Sequence, residues 1–160
     1  MFRTETDITT DINAAKEDIA MLKGSINDCD TELQNIEDNI EKLKKQKDIL
    51  EKSYIVVSDL KDYLVGDTGE MGVIGSLDES SVCIQEIKSD VSVQIFNRCK
   101  NALTCAETVI MKLEMDIKNA EEKYDVYYDR KINAKNKLIN CQSNLESLNN
   151  ELFESQNAEE

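Results

Sequence analysis

Apolar residues recur in this chain at alternating steps of four and three over two long stretches, and few folds accept that pattern. The first stretch is Ile8, Ile12, Ala15, Ile19, Leu22, Ile26, Cys29, Leu33, Ile36, Ile40, Leu43, Lys47, Leu50, Tyr54 and Val57. Only Lys47 interrupts it. The a positions are Ile12, Ile19, Ile26, Leu33 and Ile40, and the d positions include Leu22, Ile36, Leu43 and Leu50. A period of 3.5 under-winds a helix and demands a partner along its length. The second stretch runs from Phe96 through Leu103, Ile110, Ile117, Tyr124, Lys131, Leu138 and Leu145 to Leu152, with Cys99, Ala106, Leu113, Ala120, Tyr127, Ala134, Cys141 and Leu148 between them. Here Lys131 interrupts, at an a position. The absence of Pro lets both helices run unbroken.

Between the stretches, Gly66, Gly69, Gly72 and Gly75 crowd into GDTGEMGVIG. Each glycine costs a helix about 1 kcal/mol against Ala, so the first helix is expected to end near Val65. Ser76-Leu77-Asp78-Glu79 fits a capping box that restarts a helix near Leu77. The expected fold is therefore all-α: a long antiparallel coiled-coil hairpin in a single domain, residues 1–160, with a Gly-rich turn and a short helix (about 77–95) at the loop end. Helix 1 is expected over about 6–65, the turn over 66–76, helix 2 over about 77–153 and a tail over 154–160. Ile84, Ile87, Val91 and Ile95 keep a helical spacing but sit one residue out of frame with the run that begins at Phe96. That shift predicts a kink near 92–96, or a segment 77–91 that folds back. Matching large residues to small ones across the pair favours a register in which facing residue numbers sum to 153, with 146 as the alternative. The first sets Lys47 against Ala106, past which a lysine can snorkel.

Near the loop, apolar residues also lie outside the seam: Ile49, Val56 and Leu60 on the first helix, and Ile95, Ala102, Cys105 and Val109 on the second, at c and g positions. The g edges of an antiparallel pair share one side, so these residues predict a second apolar strip. It is either covered by segment 77–91 or free to dock another chain. In the far half the same edges carry Asp11, Asp18, Glu32, Lys123, Arg130 and Lys137, charges of opposite sign on the two helices. Tyr124 and Tyr127 fall in the seam and read as core, whereas Tyr128 lies outside it and reads as a surface anchor.

Composition narrows the function. There is no His, which removes Ser-His-Asp and Cys-His catalytic pairs and imidazole metal sites. With 19 Lys plus Arg against 33 Asp plus Glu the net charge is −14, unfavourable for a phosphate backbone. The expectation is a non-catalytic protein with no cofactor, no metal and no nucleic acid. The longest apolar run, Tyr54-Ile55-Val56-Val57, is far below the roughly 20 residues of a membrane span. MFRTETDITTDI has no apolar signal-peptide core. The expected location is cytoplasmic, or exported without a cleavable signal.

An acidic, Asn- and Lys-containing helical hairpin of this length, with the segment Ile36-Glu37-Asp38-Asn39-Ile40-Glu41-Lys42-Leu43-Lys44-Lys45, resembles the YwqH-like small helical proteins of Gram-positive type VII secretion loci. These are encoded beside LXG-type toxins and are distant relatives of the WXG hairpins. The chain departs from the WXG pattern in having no Trp. Tyr63 and Asp67 form a Tyr-x-x-x-Asp string like that pathway's export motif, although here it ends the first helix instead of following the second. The resemblance implies a partner or targeting chaperone for the helical N-terminal region of an LXG-type toxin. Partner binding is then expected through Ile49, Val56, Leu60, Ile95, Ala102 and Val109, with self-assembly also open. Prefoldin, another coiled-coil hairpin, gives the alternative: a cytosolic scaffold or holdase. Prefoldin places β-hairpins at its turn, and residues 58–76 have few β-branched alternations.

The five cysteines, at 29, 83, 99, 105 and 141, contain no CxxC pair, and in the favoured register no two face each other. They read as reduced thiols used as small apolar residues. A native disulfide contributes about 2–4 kcal/mol, which in a chain of this size moves Tm by roughly 4–16 °C. Thermal melts with and without reductant are therefore expected to coincide, and a well-separated pair of melts with one mapped intrachain bridge would contradict this.

Overall fold

The computed structural model describes residues 3–65 and 82–158. They form two helices that pack against each other, α1 over Glu5–Val65 and α2 over Val82–Ala158. Every seam position from Ile8 to Val57 and from Phe96 to Leu152 is buried or half-buried, including Lys47 and Lys131. The heptad reading of both helices therefore holds residue by residue. The Gly-rich turn and the Ser76–Glu79 cap lie outside the described residues.

Thr4 caps the start of α1. Its hydroxyl accepts a hydrogen bond from the Asp7 backbone N–H at 3.2 Å, and the Asp7 carboxylate accepts one from the Thr4 N–H at 3.3 Å. This reciprocal arrangement satisfies donors that a helix N-terminus otherwise leaves free. The Thr4 hydroxyl also donates to Asp7 at 2.7 Å. The Thr4 hydrogen bonds hold the Asp7 carboxyl below its ordinary range.

At the loop end the expected second helix is present from Val82 onward, but the separate short helix at about 77–95 is not. Residues 82–95 are the first turns of α2 itself, and the helix is uninterrupted across 92–96. From Val82 onward there is no separate short helix and no segment folded back.

The described residues divide into two packing units. A distal unit combines Met1–Asn39 with Ala120–Glu160, and a loop-proximal unit comprises Ile40–Asn119. In the distal unit a buried cluster joins Ile8, Ile12 and Ala15 of α1 to Leu148 of α2, flanked by Leu145 and Leu152. Facing residues in this cluster have numbers that sum to 160. The loop-proximal unit keeps the same register, because Leu50, Tyr54 and Val57 line one cleft with Leu103 and Ala106. Both sums considered from sequence, 153 and 146, are thus corrected to 160.

Edge charges supply the physical reason. Four a positions carry polar groups, and each reaches a carboxylate at an e position of the other helix. In the distal unit the Lys131 ammonium pairs with Asp30, and Glu37 stands beside Tyr124, raising its phenol above the ordinary range. In the loop-proximal unit Lys47 meets Glu114 at 2.8 Å and Tyr54 donates to Glu107 at 2.7 Å. The residue numbers of all four pairs sum to 161. One heptad away, the 153 register would set Lys131 beside Lys23, and the 146 register would set it beside Lys16 and Lys47 beside Lys100. A lysine in a seam tolerates a nearby carboxylate and not a second ammonium.

This ordering makes opposite predictions for one substitution. Lys131→Glu is expected to lower Tm by about 2–4 °C, because two carboxylates then share one edge, and Asp30→Lys in the same chain is expected to restore it. A rise in Tm for Lys131→Glu alone would instead place Lys23 beside it and return the register to 153.

Candidate interaction surface

The loop-proximal unit carries more apolar surface than its seam needs. Ile49, Val56, Leu60, Ile95 and Val109 are exposed at 39–67% of their full surface. Ala102 and Cys105 are exposed as well. The g edges of the two helices do share a side: Ser53 and Ala102 flank a cleft of about 180 Å³ whose floor is Leu50, Val57, Leu103 and Ala106. Small residues at the rim leave that floor open. The expected strip is therefore present as exposed apolar side chains on that edge. Because residues 82–95 belong to the continuous helix α2, they do not double back over it; residues 77–81 lie outside the described residues.

The same unit has a second apolar surface, which sequence reasoning missed. On the e side, Tyr54, Ile55, Ile110 and Met111 line an open groove of about 620 Å³, rimmed by Glu51 and Glu107. Ile55 and Met111 are 58% and 69% exposed. Both occupy b positions, where a solvated helix normally carries polar residues; that mismatch was the available signal. The acidic rim is Glu107, which accepts from Tyr54, and Glu51, the more distant of the two carboxylates near Lys47. Hydrogen bonding to Glu114 is the main cause holding the Lys47 ammonium above the ordinary lysine range, with Glu51 adding to it at 3.4 Å. Hydrogen bonding to Glu107 likewise raises the Tyr54 phenol.

Tyr63 is exposed, and Asp67 lies outside the described residues, so the Tyr-x-x-x-Asp string is seen only at its first member. In the distal unit Tyr124 and Tyr127 are half-buried in the seam. Tyr128 is exposed and its ring stacks on Tyr124 with centroids 6.4 Å apart. Lys123 and Arg130 both lie over the Tyr127 ring, at 5.6 and 5.2 Å, a cation–π arrangement that ties down the aromatic edge. Among the described residues no helix is long and apolar enough to cross a membrane.

No family model, curated protein or solved structure matches this chain.

The raised Lys47, Tyr54, Tyr124 and Lys131 values predict a one-sided pH profile. A group held above its unfolded value contributes stability that is present below that value and lost as pH rises through the folded one. Tm is expected to fall above about pH 10, and less steeply for Lys47→Met combined with Tyr54→Phe. A Tm that climbs across that range would contradict the pairings.

Proposed function

We propose that this protein is a non-catalytic helical interaction partner that uses the loop-proximal g edge to bind a helical segment of another protein. The observation that carries the reading is the exposure of Ile49, Val56, Leu60, Ile95 and Val109, five large apolar side chains that contribute nothing to the two-helix seam. An amphipathic helix laid along that edge would bury them and continue the heptad packing. Single exposed apolar residues are ordinary on protein surfaces, but a run of them along one edge marks an interaction site.

The partner suggested by the resemblance to YwqH-like proteins is the helical N-terminal region of an LXG-type toxin. In that setting the protein acts as a targeting chaperone for type VII secretion, and Tyr63 with Asp67 becomes the candidate export motif. The heptad hairpin, the acidic composition and the apolar edge all support this reading.

The test is Val56→Glu with Val109→Glu. Neither residue lies in the seam, so helix content is expected to stay nearly unchanged while copurification with the toxin's N-terminal region is lost. Charge reversal at Asp18 or Lys137 is expected to leave partner binding within about 1 kcal/mol, as for solvated rim charges. Normal binding by the double Glu variant would remove the proposal.

A further inference from the structure

The distal unit has an edge of a different kind. On its g side two adjoining openings of about 500 and 460 Å³ share Leu22, Ser25 and Lys137 and form one continuous groove. Asp18, Asp28 and Glu32 stand along the α1 wall, and Arg130 and Lys137 along the α2 wall. The floor is apolar, with Cys29 and Ala134 buried and Leu22 half-buried.

The two walls do not neutralise each other. Among the described residues Asp18, Asp28, Glu32 and Lys137 form no ion pair, and the Arg130 guanidinium rests over Tyr127. The e side of the same unit behaves in the opposite way, closing Lys131 onto Asp30 across the helices. The g side thus keeps an acidic row and a basic row apart, with an apolar floor between them.

We propose that this groove is a self-association surface on which a second copy of the chain packs in parallel. The charge pattern selects both the occupant and its direction. A two-fold axis parallel to the helices turns the second copy so that its acidic wall meets the first copy's basic wall, and the reverse. A two-fold axis across the helices would put acid on acid and base on base. In the observed register Arg130 of one copy then stands level with Asp28 and Glu32 of the other. Ser25 and Ala134 are small enough to let the helices approach. Closed, isologous pairing of this kind is the commonest form of self-assembly. It also eases a difficulty of composition: copies that each carry a net charge of −14 repel, whereas along this edge three acids stand against two bases, leaving a local charge of only −1 per copy.

The experiment is sedimentation equilibrium of the full chain and of two edge variants. The acid-edge variant carries Arg130→Glu and Lys137→Glu. The base-edge variant carries Asp18→Lys, Asp28→Lys and Glu32→Lys. At low salt the wild type is expected to reach twice its 18.2 kDa mass. Its dissociation constant is expected to rise about tenfold or more as salt screens the edge. Each variant alone is expected to stay monomeric with unchanged helical circular dichroism, and an equal mixture of the two is expected to dimerise. A wild type that remains at 18.2 kDa at low salt and high concentration overturns the proposal. So does a dimer that survives both variants, which would place self-association on the loop-proximal apolar edge, or a mixture that stays monomeric. Should the base-edge variant not fold, the wild-type salt dependence and the acid-edge variant still decide.

Discussion

A lysine at the centre of an apolar seam must lie level with a carboxylate on the opposing helix, and much of this structure depends on that requirement. Lys131 and Lys47 each meet it, one in the distal unit with Asp30 and one in the loop-proximal unit with Glu114. Apolar heptads are nearly indifferent to sliding by seven residues, since every a and d residue meets another of its kind. Charged seam residues break that degeneracy, and polar groups at a positions are known to set register at some cost in stability. Tyr54 adds a directional hydrogen bond to Glu107 in the same frame, and Tyr124 stands beside Glu37.

Using the e edges to satisfy the seam leaves the g edges for something else. In the distal unit the g edge keeps Asp18, Asp28, Glu32 and Lys137 out of ion pairs around an open groove. In the loop-proximal unit it is apolar, with small residues at the rim of the cleft. Each surface is narrow, as expected for a two-helix structure with little interior. A two-helix seam also leaves most side chains in contact with solvent, so a few apolar substitutions outside it are enough to create a docking edge.

Much of this is legible in the sequence. The seam can be read position by position, because a 3.5-residue period sustained over so many turns has no competing explanation. The exposed strip is legible for the same reason: once the seam is known, Ile49, Val56 and Val109 stand outside it. The register is not, because large-to-small matching, such as Lys47 against Ala106, scores similarly at each heptad shift. The decisive contacts, Lys131 with Asp30 against Lys131 with Lys23, are present in the sequence and concern the e edge. The Ile55 and Met111 groove escapes a reading that treats b positions as solvated. The Thr4–Asp7 cap escapes notice because Asp is a short version of the Glu that usually closes a capping box.

The register decides which residues share an edge, so it is the claim to measure most directly. Spin labels at Asp48, Thr104, Met111 and Lys118, all exposed b positions of the loop-proximal unit, give three intrachain distances from residue 48 by pulsed electron resonance and leave the carboxylates that meet the seam in place. In the observed register the label at 48 lies closest to 111, the axial offsets to 118 and 104 being about 9 and 12 Å at 1.5 Å per residue. Finding 48 closest to 104 and farthest from 118 would contradict the 160 register and dissolve the edge assignments. Three long distances would contradict the hairpin itself.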